Sequence, residues 1–263
     1  MFNFKDNYDI NDLITIVSIL RSENGCPWDK VQTHSSIKAD FIEEVYEVIE
    51  AIDMDSAEML REELGDVLLQ VVFHSQIKTE ENVFNFGDVC NDICQKLIVR
   101  HPHVFGEVKV NGCDEVLSNW DKIKQRTKGQ TTYTETLESV PKTFPALMRA
   151  QKVGKRASKA GMDFENISTA LERLKSEINE LEAAIAEKDS DKIREELGDV
   201  LFSCTNVARK AEVDSETVLT ESTEKFIKRF AKTEELVRLK ETDMTSLGID
   251  ELDEYWKQAK AQN

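Results

Sequence analysis

The octapeptide Arg61-Glu62-Glu63-Leu64-Gly65-Asp66-Val67-Leu68 occurs a second time, letter for letter, as Arg194-Glu195-Glu196-Leu197-Gly198-Asp199-Val200-Leu201. The match extends upstream without a gap: Glu44 and Glu47 precede the first copy at the spacing at which Glu177 and Glu180 precede the second. Agreement over this length indicates an internal duplication. The shared feature of the two copies is a set of four acidic side chains at fixed spacing.

Composition predicts a mostly helical protein. The chain has 263 residues, with only ten glycines and four prolines, and 32% of its residues are charged. Such a composition favours helices, and the length allows two modest domains with separate cores. Around the first octapeptide, one helix is predicted from Ser35 or Ser36 to Ile52 and a second after a cap at Ser56. Helices over 168–187 and 191–211 correspond to them in the second copy. The short connections predict that each pair packs as an antiparallel hairpin.

A threonine-rich segment with two prolines, 131–145, is the best candidate for a linker. It would separate an N-terminal domain, 1–130, from a C-terminal domain, 146–263. Each half continues after its acidic helices with a basic helix and a tail that carries Trp and Lys. The matching pairs are Lys96-x-x-x-Arg100 with Trp120-x-x-x-Lys124, and Lys225-x-x-x-Arg229 with Trp256-x-x-x-Lys260.

Charge and cysteine usage limit the partners and the compartment. A net charge of −17 argues against binding to nucleic acid polymers or to anionic membranes. No apolar run is long enough to span a bilayer, and the N-terminus lacks a signal-peptide pattern. The odd number of cysteines favours a cytoplasmic protein without disulfides. Cys90 and Cys94 have helical spacing, and we expect them to be buried thiols.

The acidic spacing has a geometric meaning on a helix. At about 100° per residue, two carboxylates on each helix lie beside its apolar stripe, so that four converge in each hairpin. Carboxylates held this close repel one another unless cations neutralise them. Oxygen is the only donor type at the motif spacing, which favours Mg²⁺, with Mn²⁺ as a substitute, over zinc. The predicted metal ligands are Glu44, Glu47, Glu63 and Asp66 in the first copy, and Glu177, Glu180, Glu196 and Asp199 in the second.

The pattern Glu-Glu-x-x-Glu followed by Glu-x-x-Asp resembles the signature of the MazG family of nucleoside triphosphate pyrophosphohydrolases. The resemblance covers nearly the whole chain and includes Gly25-Cys26-Pro27-Trp28-Asp29, His101-Pro102-His103-Val104-Phe105-Gly106 and the C-terminal Trp256-x-x-x-Lys260. It implies an all-α protein with two tandem MazG-like helical domains. It also implies Mg²⁺-dependent cleavage of nucleoside triphosphates to monophosphate and pyrophosphate, and homodimers that complete four-helix-bundle cores.

The resemblance also implies roles for individual residues. Metal-activated water would attack the α-phosphorus with help from a carboxylate, for which the candidates are Glu177, Glu196, Glu44 and Glu63. The candidates for substrate contacts are Arg173, Lys225, Arg229, Trp256 and Lys260. Solvated or salt-bridged side chains remain the alternative for Lys225 and Arg229, and a core or lid aromatic remains the alternative for Trp256.

The two copies differ at one motif position, because Ser176 stands where the first copy has Glu43. The larger number of basic residues around the second copy nevertheless favours it as the principal site. Two other functions stay open: a metal-dependent phosphohydrolase specific for dUTP, a modified nucleotide or an alarmone, and a non-enzymatic regulatory bundle that metal ions stabilise.

Overall fold

The computed structural model describes residues 2–113, 115–116, 119–120, 123, 127 and 129–261. Regular structure within these ranges is entirely helical, which confirms the all-α prediction. Contacts divide the chain into two compact units, 1–124 and 125–263. None of the helices formed by the described residues is both long and apolar enough to cross a lipid bilayer.

Among the described residues, the first unit has a 3₁₀ turn at Asp29–Val31 and five α-helices whose bounds are described. The helices are α1 (Ile10–Arg21), α2 (Lys38–Asp53), α3 (Ala57–Glu80), α4 (Phe86–Arg100) and α5 (Pro102–Phe105). As predicted, α2 and α3 pack as a hairpin. The connection is tight because Ser56 caps α3, with its side chain accepting a hydrogen bond from the backbone N–H of Met59.

Helix α2 begins later than the sequence predicts. A local turn holds the preceding residues, in which the backbone N–H of Thr33 donates to Ser36 Oγ and that hydroxyl donates to Gln32. Serine and threonine side chains that bond to nearby backbone in this way compete with helix formation. The helix therefore begins at Lys38, after the turn.

The core of the first unit lies at one end of the hairpin. Val17 of α1 packs there with Val72, Phe73 and Ile77 of α3, and with Ile37 just before α2. The acidic part of the hairpin lies outside this cluster. Cys90 and Cys94 are exposed, so their predicted burial is wrong. Helix α4 meets the core through Phe86, in its first turn, and its later turns are largely open to solvent.

Within its described residues, the second unit has six α-helices and a 3₁₀ turn at Met244–Ser246. The helices are α6 (Tyr133–Glu138), α7 (Ala146–Lys159), α8 (Ile167–Glu187), α9 (Ser190–Lys210), α10 (Ser215–Arg238) and α11 (Ile249–Ala261). Helices α8 and α9 form the second predicted hairpin, α7 packs across α9, and α11 packs along α10. Asp189 caps α9 through the N–H groups of Asp191 and Lys192.

The segment proposed as a linker contains helix α6. Arg156 of α7 donates hydrogen bonds to the carbonyl of Thr136 and to Ser139 Oγ, so this segment is attached to the second unit. The predicted tail of the first unit, with Trp120 and Lys124, falls partly outside the described residues.

Candidate metal centres

The second hairpin brings three predicted ligands together. One carboxylate oxygen from each of Glu177, Glu196 and Asp199 lies within 4.8 Å of the other two. Glu177 comes from α8 and the other two come from successive turns of α9, so the antiparallel packing of the hairpin creates the cluster. Glu177 is only 4% exposed, whereas Asp199 opens to solvent.

The first hairpin repeats this geometry. Oxygens of Glu44, Glu63 and Asp66 also lie within 4.8 Å of one another, and all three residues are half-buried. Among the described residues, these two clusters are the only groups of three or more potential metal ligands. Both fall on the residues that the repeated motif selects.

The fourth acid of each motif lies next to its cluster. Burial raises the pKa of Glu63, and Glu47 is the carboxylate that adds most to the rise. Burial likewise raises the pKa of Glu196, and Glu180 leads the neighbouring charges that add to it. Glu180 also accepts a hydrogen bond of 3.1 Å from Ser176 Oγ, across one helical turn. All four acids of each motif are therefore close enough to interact.

The electrostatics fit a divalent cation. Burial raises the pKa of Glu44, and the charges of Asp66 and Glu47 raise it further. Such shifts mean that the carboxylates lose solvation and repel one another in the absence of a cation. A hard ion with a preference for oxygen ligands, such as Mg²⁺ or Mn²⁺, matches this donor set and removes the repulsion.

Arg173 neutralises part of the second cluster. Its Nε lies 2.7 Å from Glu177 Oε1, and its Nη1 lies 3.9 Å from Glu180 Oε1. Arg173 is one of the residues predicted to contact the triphosphate, and its pairing with Glu177 is not predicted from the sequence. The position has no cation in the first copy, because the duplication places Asp40 there.

The two helices that carry most of the predicted substrate-contact residues, α10 and α11, pack on each other. Trp256 packs on Phe226 of α10, with ring centroids 5.1 Å apart. Lys225 and Lys260 are exposed, whereas Arg229 is half-buried and its Nε is buried without a hydrogen-bond partner. No hydrogen bond or ion pair within the described part of the chain joins Lys225 or Arg229 to the acidic cluster.

In the first copy, Arg100 stands at the position that matches Arg229, and its Nε has the same environment. Arg100 Nε is also buried without a hydrogen-bond partner. Its guanidinium carbon lies 5.5 Å from the ring centroid of Trp120. The basic helix and the tryptophan therefore come together in this unit too, as the matching sequence pairs predict.

Comparisons with known proteins agree with the motif. The MazG nucleotide pyrophosphohydrolase domain matches residues 32–105 and 165–233, which include both acidic hairpins. A nucleoside triphosphate pyrophosphohydrolase of Escherichia coli (strain K12) is 41% identical over 256 residues, which cover 96% of this chain and 97% of that protein. The Thermotoga maritima nucleoside triphosphate pyrophosphohydrolase/pyrophosphatase MazG is 43% identical over 249 residues, 95% of this chain and 94% of the relative. The uncharacterized protein YabN of Bacillus subtilis is 41% identical over 254 residues, 96% of this chain but 52% of its own length.

Proposed function

The chain belongs to the MazG family, and on that premise we propose that it is a Mg²⁺-dependent hydrolase that converts nucleoside triphosphates to monophosphates and pyrophosphate. The observation that carries the proposal is the convergence of Glu177, Glu196 and Asp199 within 4.8 Å. Three carboxylates at this separation need a cation, and a hard cation beside open solvent suits a triphosphate. The names of the relatives from Escherichia coli and Thermotoga maritima support the same reaction.

In the proposed reaction, water attacks the α-phosphorus. The new bond joins the water oxygen to that phosphorus, the bond to the bridging oxygen breaks, and pyrophosphate leaves. Glu177, Glu180, Glu196 and Asp199 would hold Mg²⁺, which when bound would neutralise phosphate charge and lower the pKa of water. Glu196 is the proposed acceptor for the proton of water, because its carboxylate lies in the cluster with Glu177 and Asp199 beside which this water would bind.

Basic residues of the second unit would contact the phosphates. We propose this role for Lys225, Arg229 and Lys260, and Trp256 would cover or stack on the bound nucleotide. Support comes from the buried Nε of Arg229, which lacks a hydrogen-bond partner. Buried donors of this kind are uncommon and often belong to binding sites. Arg173 would exchange its contact with Glu177 for a phosphate oxygen.

The hairpins support a homodimer. Ile178, Leu197 and Leu201 of the second hairpin are 40%, 48% and 51% exposed, although they carry its apolar stripe. Val45 and Leu64 of the first hairpin are 41% and 51% exposed. Apolar rows on paired helices are normally buried, and a second hairpin laid against each would complete a four-helix bundle. We therefore propose that two chains join through these faces.

The second unit is the proposed principal catalytic site. Its cluster has a buried Glu177 and a neighbouring Arg173, whereas Asp40 replaces that arginine in the first unit. The first unit would bind metal through Glu44, Glu47, Glu63 and Asp66.

The five free thiols suit the reducing cytoplasm that the sequence predicts.

Pyrophosphate release from a panel of triphosphates, with Mg²⁺ and with EDTA, tests the proposal. The double substitution Glu196→Gln with Asp199→Asn should reduce turnover by at least a thousandfold, because it removes two of the proposed ligands. Glu63→Gln with Asp66→Asn applies the same change to the first unit and should leave most of the turnover. Glu182→Gln, on the exposed surface of α8, is the matched control.

The results separate the other functions. Turnover of dUTP, a modified nucleotide or an alarmone alone would identify a specialised phosphohydrolase on the same site. Release of no pyrophosphate by the wild type, together with thermal stabilisation by Mg²⁺, would identify a regulatory bundle and overturn the proposal. If only the variant with Glu63→Gln and Asp66→Asn loses activity, the catalytic site is in the first unit.

A further inference from the structure

A cavity of about 340 Å³ lies between α7 and α9 in the second unit. Its lining includes Phe202, which is 41% exposed and stands one turn after Asp199 on α9. Residues three apart on a helix are neighbours on its surface. The cavity therefore lies within about one helical turn of the metal cluster along α9.

In the first copy, the side chain that corresponds to Phe202 is packed against the core. The duplication places Leu69 where the second copy has Phe202. Leu69 packs against the core of the first unit together with Leu13. In the second unit, by contrast, the helix opposite Phe202 presents Ala150, a small side chain that leaves space. The first unit has a cavity too, of about 550 Å³, but its lining on α3 begins at Val72, six residues after Asp66.

The lining combines aromatic rings with hydrogen-bond donors. Phe144 and Phe202 supply the rings, and Lys152 Nζ lies 5.4 Å from the centroid of Phe144. Lys142 and Arg149 are the only polar side chains among the described residues that line the cavity, and both can only donate. Arg149 Nε is buried and has no hydrogen-bond partner. The surface therefore suits a flat apolar group whose edge accepts hydrogen bonds.

We infer that this cavity holds the base of the nucleoside triphosphate, and that Arg149 and Lys142 favour bases with keto oxygens at their edge. The inference rests on the proposed function, since it requires the triphosphate at Glu177, Glu196 and Asp199. Guanine and uracil present keto oxygens, to which arginine and lysine donate well. Adenine and cytosine present an amino group where guanine and uracil have a keto oxygen, so fewer acceptors would face Arg149 and Lys142. The phenyl rings stack on either kind of base and add affinity without selection.

The test compares kcat/KM of the full-length protein for GTP, ATP, UTP, CTP and the base-free ribose 5-triphosphate. Arg149→Met removes the donors but keeps the apolar stem of the side chain. Ala150→Leu fills the cavity. Arg238→Met makes the same chemical change as the first variant at an exposed position on α10 and is the matched control. Thermal unfolding of each variant verifies that it is folded.

Wild-type protein should prefer GTP over ATP and UTP over CTP. Because one hydrogen bond to a charged donor is at stake, Arg149→Met should lower the GTP-to-ATP ratio about tenfold. Ala150→Leu should lower kcat/KM for GTP relative to ribose 5-triphosphate by a similar factor, and Arg238→Met should change neither ratio. Unchanged ratios in both cavity variants, with active wild type, would overturn the inference and leave the proposed function standing. Absence of pyrophosphate release by the wild type would overturn both.

Discussion

The ion pair between Arg173 and Glu177 leads to the most direct prediction about the second cluster. Arg173→Gln should destabilise the metal-free protein and at the same time tighten Mg²⁺ binding. Both effects have one cause, since the guanidinium is the cation that the structure places nearest to these carboxylates. Its removal leaves Glu177 buried beside Glu196 and Asp199 without the ion pair that Glu177 makes with Arg173.

The magnitudes follow from the geometry. The contact is short, at 2.7 Å, but the side chain of Arg173 is 52% exposed, so solvent screens it. We assign the ion pair about 1 kcal/mol, which corresponds to roughly 2–4 °C in the melting temperature of a protein of this size. A divalent ion bound by the cluster would lie about 5 Å from the guanidinium, where the repulsion in water is about 1.7 kcal/mol. Loss of that repulsion should tighten Mg²⁺ binding roughly tenfold.

Calorimetric unfolding in EDTA and isothermal titration with Mg²⁺ measure the two effects on the same samples. The matched control is Arg238→Gln, which breaks an exposed ion pair to Glu234 at 3.5 Å, in which the side chains are 77% and 50% exposed. The control should change neither quantity. An Arg173→Gln protein that melts with the wild type in EDTA and binds Mg²⁺ with unchanged affinity would refute the reasoning.

Three further predictions concern pH, a surface ion pair and the apolar faces. Burial and neighbouring carboxylates raise the pKa of Glu196, so Mg²⁺ affinity measured by titration should fall as the pH falls through that raised value. The metal-free fold should gain stability over the same range, because the native state binds the proton before the unfolded chain does. Burial would raise the pKa of Asp163, but the hydrogen bonds led by that of Arg209 lower it from 3.8 to about 2. Asp163→Asn should therefore cost about 1 kcal/mol at pH 7, and unfolding curves should show this difference closing as the pH falls from 3.8 towards 2. Leu201→Glu should convert the proposed dimer to monomers in light scattering, whereas Leu239→Glu, which lies outside the hairpin, should not.

Much of the fold followed from periodicity and capping. The two predicted hairpins are confirmed. They were predictable because a short connection and a helix cap, here at Ser56 and at Asp189, depend only on residues close in sequence. The gathering of the acids was predictable for a related reason. Two helices joined by a short turn pack antiparallel, so spacing within each helix fixes which residues face one another. The pKa directions of Glu44 and Glu196 agree with that geometry.

Features that depend on how the helices pack against one another were not predictable. Cys90 was predicted to be buried and is exposed. Its exposure depends on which face of α4 meets the core, and periodicity alone does not select that face. The pairing of Arg173 with Glu177 has ordinary helical spacing, which gives no sign that one partner is buried. The cavity beside Phe202 arises from the packing of α7, which is distant in sequence from the acidic motif.

The differences between the two copies bear on which of them acts on nucleotides. The proposed metal ligands are equally present in both copies, so they do not distinguish a catalytic unit from one that would only bind metal. Other positions differ: Glu43 corresponds to Ser176, Asp40 to Arg173 and Leu69 to Phe202. In the second unit, Arg173 adds a cation beside the cluster, and Phe202 lines a cavity one turn from Asp199. A metal alone needs neither, but a triphosphate with a base needs positive charge for its phosphates and space for its ring. These differences support the proposal that the second unit is the principal substrate site and that the first is a metal-stabilised partner.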